Sequence, residues 1–325
     1  MNLFCFGLPT STSPFTITTR LSSHHSITET VPSSTKNFSP QRKISYGFGK
    51  NIASGSFSPV PNSSWSCLAA RTTDHDQKSE IQLPESLRPE LMPKHVALIT
   101  DGHGRWAEKR GLPVQQGHGA GVENLKQMVL QCSKFGIRVF TAFLFSTENW
   151  KRPKEEVDFL MKVYDRLIRY FVNEQVTSHD LRFSVIGDKS RLPQFIQSTI
   201  SSTEESAKGN KGTHFVMALS YSGQYDILEA SRKIAGQVEN GKLRAKDIDK
   251  GVFEQQLLTN TITPDPDLLI RTSGEIRISN FMLWQMAYTE FYFANKLFPD
   301  FKESDFVDAL NFFQQRQRRF GERKN

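Results

Sequence analysis

The sequence has few cysteines and no long apolar run. Three cysteines are scattered over 325 residues, which indicates neither a disulfide framework nor a cysteine-based zinc site. No stretch approaches the roughly 18–20 consecutive apolar residues of a membrane-spanning helix, so we expect no transmembrane segment. The patterns of P-loop nucleotide enzymes, zinc proteases of the His-Glu-x-x-His type and Gly-x-Ser-x-Gly hydrolases are also missing. These three enzyme classes are therefore disfavoured.

Acidic residues are almost absent from the start of the chain. Residues 1–67 contain one acid, Glu29, and are rich in serine, threonine and scattered basic residues. This composition is typical of an organelle transit peptide, and the excess of serine and threonine over arginine favours the plastid (chloroplast). A disordered tail without a targeting role is the alternative. We expect residues 1–70 to be a disordered plastid transit peptide, 71–92 a linker and 93–325 the folded domain.

The net charge of +7 is modest, and part of it belongs to the leader. A protein that binds RNA would interleave aromatic residues with a basic stripe. Here the basic residues of the folded part concentrate at the ends of predicted strands. The charge therefore fits small anionic substrates, and we expect no nucleic-acid partner.

Nearly all-apolar segments alternate with amphipathic ones after the linker. The apolar segments predict strands, and the spacing of apolar residues in the others predicts helices. The strands are expected at 95–100, 138–146, 181–186, 214–221, 268–272 and 291–294, and the helices at 119–135, 154–174, 191–208, 225–240 and 304–320. Such strands imply an α/β fold with an open, mostly parallel sheet flanked by helices. Functional residues are then expected at the carboxyl ends of the strands.

The first predicted strand ends in a glycine-flanked turn that carries Asp101, His103 and Arg105. Gly102 and Gly104 allow the backbone to approach a ligand, and the guanidinium of Arg105 suits phosphate oxygens. A carboxylate beside phosphate makes sense where Mg²⁺ lies between the two anions. The turn thus indicates a magnesium-diphosphate site, and an ordinary corner with a capping aspartate is the alternative.

A second basic group follows the strand at 268–272. Arg271, Arg277 and Ser279 could hold a second diphosphate, and Glu290 could supply a second carboxylate to the metal. Surface arginines paired with acidic neighbours, Glu275 and Asp267, are the alternative.

The loop after the second strand and a glycine-rich stretch supply further candidates. Asn149 and Arg152, beside Trp150, could position substrates, or could simply form a loop into the long helix. His118 could donate to a phosphate at a helix start, or could merely cap that helix.

Five sequence blocks follow one another in the chain: residues 101–107, 145–150, 186–188, 269–275 and 277–281, within a stretch from about 93 to 319. In this order they resemble the blocks of the cis-prenyltransferases, also called Z-isoprenyl diphosphate synthases, the family of undecaprenyl diphosphate synthase. By this resemblance, residues 93–325 would be a cis-prenyltransferase catalytic domain. The resemblance implies the open parallel sheet of that family, usually in a homodimer. Residues 319–321 are similar to a C-terminal Arg-x-Gly that reaches a neighbouring subunit's site.

The resemblance also assigns roles to the candidate residues. The catalytic group would include Asp101, Ser146 and Asn149, and Mg²⁺ would be held by Asp101 with help from Glu290. We add His103 to the catalytic group because its imidazole lies next to Asp101 in the sequence. The substrate-binding residues would be Gly102, Gly104, Arg105, Trp106, His118, Trp150, Arg152, Arg271, Arg277 and Ser279. The substrates implied are dimethylallyl diphosphate and isopentenyl diphosphate, and the enzyme class is a prenyltransferase that transfers alkyl groups.

Two residues depart from the family pattern, which usually has Asn in place of His103 and Arg in place of Val114. His103 could act as a base or orient a different acceptor. The departures resemble short-chain plastid members of the neryl and lavandulyl diphosphate synthase type. We expect a Mg²⁺-dependent enzyme that forms C10–C15 products, by regular coupling or by joining two dimethylallyl units, with Leu144 and Phe140 blocking elongation. The alternatives are a medium- or long-chain, dehydrodolichyl-like synthase and a non-catalytic partner subunit.

Overall fold

The computed structural model describes residues 83–176 and 180–323, all of which belong to the compact unit spanning 73–325. The predicted leader, residues 1–70, lies outside the described residues, as does the first part of the predicted linker. The described end of that linker is packed on the domain. Leu87 is buried in the core, and the Arg88 amide donates a hydrogen bond to the side-chain oxygen of Gln314 at 3.1 Å.

Within the described residues, six parallel strands form one sheet, which confirms the predicted fold class. The strands are β1 (His95–Ile99), β2 (Val139–Ser146), β3 (Arg182–Ile186), β4 (His214–Tyr221), β5 (Leu268–Arg271) and β6 (Glu290–Phe293). Their order is β3-β4-β2-β1-β5-β6, and every neighbouring pair is parallel. All the carboxyl ends therefore lie along one edge of the sheet, where parallel α/β folds bind their ligands.

Helices cover both faces of this sheet. They are α1 (His103–Glu108), α2 (Val114–Lys134), α3 (Lys154–Tyr170), α4 (Gln194–Ser206), α5 (Gly223–Glu239), α6 (Lys250–Glu254) and α7 (Glu303–Gln314). All eight residues of β4 and all five of β1 are buried, as expected of strands covered on both sides. Phenylalanine and leucine are equally frequent, with ten residues each, in the larger core cluster of the described residues, on the face of the sheet that packs against α2 and α3.

Element boundaries differ most from the sequence predictions at three places. The short helix α1 was not predicted, and α2 begins at Val114 rather than at residue 119. The predicted last helix, 304–320, ends at Gln314, and beyond it Arg316 pairs with Glu290 and Arg318 with Asp267. No helix among residues 83–176 and 180–323 is both long and apolar enough to cross a membrane.

Candidate active site

One cavity of about 550 Å³ opens at the carboxyl edge of β1, β2 and β5, under α2 and α3. Most of the residues predicted for the site line this cavity. They are Asp101, Gly102, His103, Gly104, Arg105, His118, Ser146, Asn149, Arg152, Arg271, Arg277 and Ser279. The fold thus brings together side chains that lie as far as 178 positions apart in the chain.

Asp101 lies at the junction of the two basic groups. Its carboxylate contacts the Arg105 guanidinium at 3.3 Å and the Arg271 guanidinium at 3.0 Å, through different oxygens. The Thr272 hydroxyl accepts a hydrogen bond from the Asp101 amide at 3.0 Å and donates one to its carbonyl at 2.9 Å. Gly102 follows with φ of 105°, a left-handed conformation that turns the chain into α1. The two predicted diphosphate-binding groups therefore form one continuous charged surface.

The Asp101 carboxyl is held in its charged form. Burial raises its pKa, but the hydrogen bond and charge of Arg271 and the charge of Arg105 outweigh burial. The pKa of Asp101 therefore lies below its ordinary value. A carboxylate at neutral pH is the form that a divalent cation binds.

Arg271 is buried and firmly oriented. One of its terminal nitrogens donates to the Ser279 hydroxyl at 2.7 Å and to the Arg277 carbonyl at 2.6 Å. The Nε atom is buried without a hydrogen-bond partner among the described residues. Ser273 and Ser279 adopt φ of 74° and 48°, which is rare outside glycine and common at functional sites.

Glu275 joins Arg105 to Arg277, so the pairing with Glu275 that the sequence analysis gave as the alternative is present, while Arg271 pairs with Asp101. One carboxylate oxygen accepts from Arg105 at 3.0 Å, and the other accepts from Arg277. The hydrogen bond from Arg277 is the main reason that the pKa of Glu275 lies below its ordinary value. Ser273 also accepts from the Arg105 guanidinium at 2.5 Å. The sequence analysis did not name Ser273, whose only sequence signal was its place directly after the fifth strand.

The rings of His103, in α1, and His118, in α2, stack on each other, and both residues line the cavity. Their ring centroids are 5.0 Å apart and the rings are inclined by 22°. Burial, followed by the proximity of His118, lowers the pKa of His103 to about 3, so its imidazole is neutral at pH 7. This finding argues against His103 as a base, since a group with so low a pKa holds a proton weakly. Burial and then Arg152 likewise lower the pKa of His118.

The position of His118 corrects one expectation. His118 does not mark a helix start, because α2 begins four residues earlier at Val114. The glycines around it serve helix packing instead. A Cβ on Gly117 would lie 2.1 Å from the His103 carbonyl oxygen, and one on Gly121 would lie 2.2 Å from the His103 ring. These glycines therefore allow α1 to lie directly on α2.

The loop after β2 presents Asn149 and Arg152 to the cavity. The loop contains a short 3₁₀ helix, Thr147–Lys151, whose N-cap residue is Ser146. The Ser146 amide donates a hydrogen bond to the Asn149 side-chain oxygen at 3.0 Å. Arg152 is held by an ion pair with Glu156 at 3.0 Å. An irregularity in the pairing of β2 with β4 precedes the loop, where Phe143 pairs with Ala218 and the next paired residue is Phe145.

Two predicted substrate-binding tryptophans do not line the cavity. The Trp106 indole donates to Asp300 at 2.8 Å, and the Arg110 guanidinium lies 4.2 Å from the centre of one of its rings. The Trp150 indole donates to the Ser220 hydroxyl at 2.9 Å. Both indoles are turned into neighbouring structure, because each polar N–H is satisfied by a protein partner there.

Among the candidate residues, Glu290 lies farthest from the position predicted for it, which is beside Asp101 at the metal. It begins β6 and pairs with Leu268, whereas Arg271 pairs with Phe293 at the carboxyl edge. At about 3.3 Å per residue, five positions along the strands separate Glu290 from Asp101 by about 16 Å. Glu290 instead pairs with Arg316 at 3.0 Å. The prediction that these two carboxylates share a metal within one chain is therefore wrong.

The inner part of the cavity is apolar. Its walls come from β2, α2 and α3 and from one residue after β6. They are Val122, Leu125, Phe143, Leu144, Phe145, Leu160, Val163, Tyr164, Leu167 and Phe298. Leu144 faces the cavity as predicted, and its carbonyl accepts a hydrogen bond from Tyr164 at 2.8 Å. Phe140 does not reach the cavity, since it is fully buried and stacks on Phe215 in the core.

The donors at the charged end suit a magnesium ion held jointly by protein and substrate. Residues 83–176 and 180–323 contain no group of three or more His, Cys, Asp or Glu side chains placed to hold a metal. An all-protein cage is thus missing from this part of the chain, while Asp101 offers a partly exposed carboxylate on the cavity wall. Magnesium commonly takes one or two carboxylates together with phosphate oxygens and water.

Comparison with known proteins identifies the family. Residues 99–321 match the family model for undecaprenyl diphosphate synthase. Dehydrodolichyl diphosphate synthase 2 of Arabidopsis thaliana is 51% identical over 249 residues, which cover 76% of this chain and 80% of that protein. A chloroplastic (2Z,6Z)-farnesyl diphosphate synthase of Solanum lycopersicum is 49% identical over 277 residues, which cover 85% of this chain and 93% of that protein.

A solved structure extends the likeness to the fold. Lavandulyl diphosphate synthase from Lavandula x intermedia, in complex with dimethylallyl diphosphate, superposes with a TM-score of 0.70 at 52% identity. The match covers 72% of this chain and 100% of that one. With its family model, its relatives and its parallel sheet in agreement, this chain belongs to the cis-prenyltransferases, the family of prenyl diphosphate synthases that its sequence blocks resemble.

Proposed function

We propose that this protein is a magnesium-dependent short-chain cis-prenyl diphosphate synthase that couples two C5 diphosphates to a C10–C15 product. The proposal rests on one observation. Asp101, Arg105 and Arg271 lie in contact at one end of a cavity whose other end is apolar. Such a site suits substrates with an anionic head and a short hydrocarbon tail.

The charged end is built to hold two diphosphates side by side. Arg105, with Gly104 and His118, would bind the head of the allylic substrate. Arg271, Arg277 and Ser279 would bind the head of the second substrate. Magnesium bound at Asp101 would neutralise charge on the departing diphosphate. The guanidinium groups stabilise the same developing charge from fixed positions, which is where electrostatic catalysis gains most.

The apolar end would shelter the allylic carbon as its bond to oxygen breaks. Leu144, Leu160 and Leu167 offer no oxygen or nitrogen side-chain atom that could capture a carbocation. The neutral imidazoles of His103 and His118 keep additional positive charge away from that carbon. Asn149 and Arg152, at the boundary between the two ends, are placed to position the second substrate where the new C–C bond forms and a proton is lost.

The size of the product rests on the apolar walls. Leu144 lines the cavity next to Phe143 and Phe145, and bulky side chains in this part of the wall would favour a short product. The farnesyl and lavandulyl diphosphate synthases among the relatives support the same choice, while the dehydrodolichyl relative keeps a longer chain as the second candidate. A lavandulyl-type joining of two dimethylallyl units is the alternative to regular coupling. A non-catalytic partner subunit is disfavoured, because the site retains Asp101.

Two further proposals concern the location of the protein in the cell and its oligomeric state. The serine- and threonine-rich leader and the chloroplastic farnesyl relative support import into plastids. Exposed apolar side chains near the edge strand β6 support a homodimer, since such patches are typical of protein interfaces. The most exposed of these are Ile276, Tyr288, Phe291 and Phe320.

Product identification tests the proposed function. The purified protein is incubated with Mg²⁺ and dimethylallyl diphosphate, with and without isopentenyl diphosphate, and the products are identified by mass and by co-chromatography. A C10–C15 product that requires both substrates indicates regular cis coupling. A C10 product from dimethylallyl diphosphate alone indicates the irregular reaction. Products longer than C15 would contradict the short-chain assignment, and no product from any C5 pair would contradict the enzymatic function.

A further inference from the structure

The loop after β5 ends in a turn with an unusual backbone. Ser279, Asn280 and Met282 adopt φ of 48°, 60° and 43°. Left-handed conformations are uncommon for residues other than glycine, although asparagine tolerates them better than most. They persist where surrounding contacts hold them in place, and they concentrate at functional sites. The contacts of Asn280 therefore indicate what this turn does.

Asn280 caps the first turn of α5 from outside that helix. Its carbonyl accepts a hydrogen bond from the Gly223 amide at 2.6 Å, and its side-chain oxygen accepts one from the Gln224 amide at 2.9 Å. Ser222, the N-cap residue of the helix, makes no capping bond with its own side chain. Gly223 makes room for the turn, because a Cβ there would lie 2.8 Å from the Leu283 amide nitrogen. The turn is thereby fixed to α5.

The amide nitrogen of the Asn280 side chain contacts Glu148, in the loop after β2. It donates a hydrogen bond to a Glu148 carboxylate oxygen at 3.0 Å, although the two residues are 132 positions apart in the chain. Burial raises the pKa of Glu148, but hydrogen bonds from its own amide and from Asn280 outweigh burial and lower that pKa. Glu148 is therefore charged at neutral pH, and a charged acceptor strengthens the hydrogen bond.

Both ends of this hydrogen bond lie next to residues of the catalytic cavity. Asn280 follows Ser279, and Glu148 precedes Asn149, and both of these neighbours line the cavity. In the proposed function, Ser279 binds the head of the second substrate and Asn149 positions that substrate. The hydrogen bond between Asn280 and Glu148 thus connects the two loops that form the site of the second substrate.

We propose that Asn280 and Glu148 hold these two loops at the distance that the second diphosphate substrate requires. We call the two residues the bridging pair. The inference rests on the proposed function and adds two positioning residues to it, since neither residue lines the cavity. Loss of the bridging pair would displace Ser279 and Asn149. The guanidinium of Arg271 would remain in place, because it is buried and held by an ion pair.

An exchange of the two functional groups tests the bridging pair. Asn280→Asp retains an oxygen for the cap of α5 but places a second carboxylate against Glu148. It is expected to raise KM for isopentenyl diphosphate roughly fivefold and to change KM for dimethylallyl diphosphate less. Glu148→Gln keeps an acceptor for Asn280 and is expected to stay within about twofold of the wild type. In the double variant the amide and the carboxylate have changed places, so KM should return to within about twofold of the wild type.

Two more variants make the result specific. Asn240→Asp makes the same change at the other end of α5, where the Asn240 side chain donates to the Gly236 carbonyl at 2.7 Å, and should leave both KM values unchanged. Asn280→Gly permits the left-handed backbone but removes the side chain, so it should raise KM for isopentenyl diphosphate without rescue by Glu148→Gln. Unchanged KM values in both Asn280→Asp and Asn280→Gly would overturn the proposal. So would a defect of Asn280→Asp that persists in the double variant.

A binding measurement separates this inference from the proposed function. Calorimetric titration uses isopentenyl diphosphate alone with Mg²⁺, because this compound has no allylic partner with which to react. Asn280→Asp is expected to bind it roughly fivefold more weakly than the wild type, and the double variant should bind it as the wild type does. Equal affinities in all folded variants would overturn the role of the bridging pair. Failure of the proposed function would appear instead as absence of coupling by the wild type.

Discussion

At the scale of single residues, the site is organised by charge pairing around Asp101. Its carboxylate lies between Arg105 and Arg271, and Glu275 connects Arg105 to Arg277. Each guanidinium is thus oriented by a carboxylate before it meets a phosphate. Groups fixed in advance cost less to reorganise when charge develops during the reaction. The histidines contribute shape and polarity to the site, because both imidazoles are held neutral.

The neutral state of His103 can be measured directly. Burial, with the neighbouring His118, lowers the pKa of His103 to about 3, so its imidazole nitrogens should not titrate between pH 8 and pH 5. The measurement is the ¹⁵N chemical shift of the labelled imidazole ring, assigned with a His103→Asn variant. A titration midpoint near 6.5 would show that His103 is available as a base and would contradict the assignment of a neutral ring.

At the scale of elements, the close approach of α1 to α2 places His103 over the cavity. Sequence patterns could not predict this contact, since α1 is too short to show a helical period and its packing depends on two glycines of another helix. Local sequence patterns also could not predict the order of the strands or the register in which β6 pairs with β5. The prediction for Glu290 failed for that reason, because this register places Glu290 beside Leu268, at the end of the strands opposite to Arg271. The strand ends that carry Asp101 and Arg271, in contrast, followed directly from hydrophobic runs.

Two glycines of α2 should respond oppositely to the same substitution. Gly117→Ala is expected to destabilise the protein by about 1–3 kcal/mol, since its Cβ would lie 2.1 Å from the His103 carbonyl oxygen. Gly119→Ala has free space and is expected to stabilise it by about 0.5–1 kcal/mol through helix propensity. Urea unfolding of both variants provides the measurement. Equal effects of the two substitutions would show that α1 does not rest on Gly117.

At the scale of the whole molecule, the buried histidines couple folding to pH. Burial is the main cause that lowers the pKa of His95 and His214 to about 4, and that of His103 to about 3, from about 6.5 in the unfolded chain. The unfolded chain therefore takes up more protons than the folded one as the pH falls below 6.5. The free energy of unfolding therefore decreases as the pH falls below 6.5. Asp226 has the opposite effect on the free energy of unfolding, because burial raises its pKa.

The expected loss is about 2 kcal/mol per histidine between pH 7 and pH 5. Urea unfolding at several pH values measures it, and His214→Asn should remove about a third of the histidine part of the decrease. His214 is a suitable choice, because its ring contacts Ser184 at 2.7 Å and does not line the cavity. A free energy of unfolding that is constant from pH 7 to pH 5 would contradict this account.

The account's central claim is that Asp101 joins two diphosphate sites in one cavity through magnesium. The most direct test is the rate of prenyl coupling by Asp101→Asn across a magnesium titration, beside Asp300→Asn as a matched control. Asp300 pairs with Arg110 at 3.1 Å and does not line the cavity. The account predicts that Asp101→Asn lowers the rate roughly 100-fold or more at every magnesium concentration, while Asp300→Asn stays close to the wild type. Coupling by Asp101→Asn at nearly the wild-type rate, with an unchanged magnesium requirement, would contradict it.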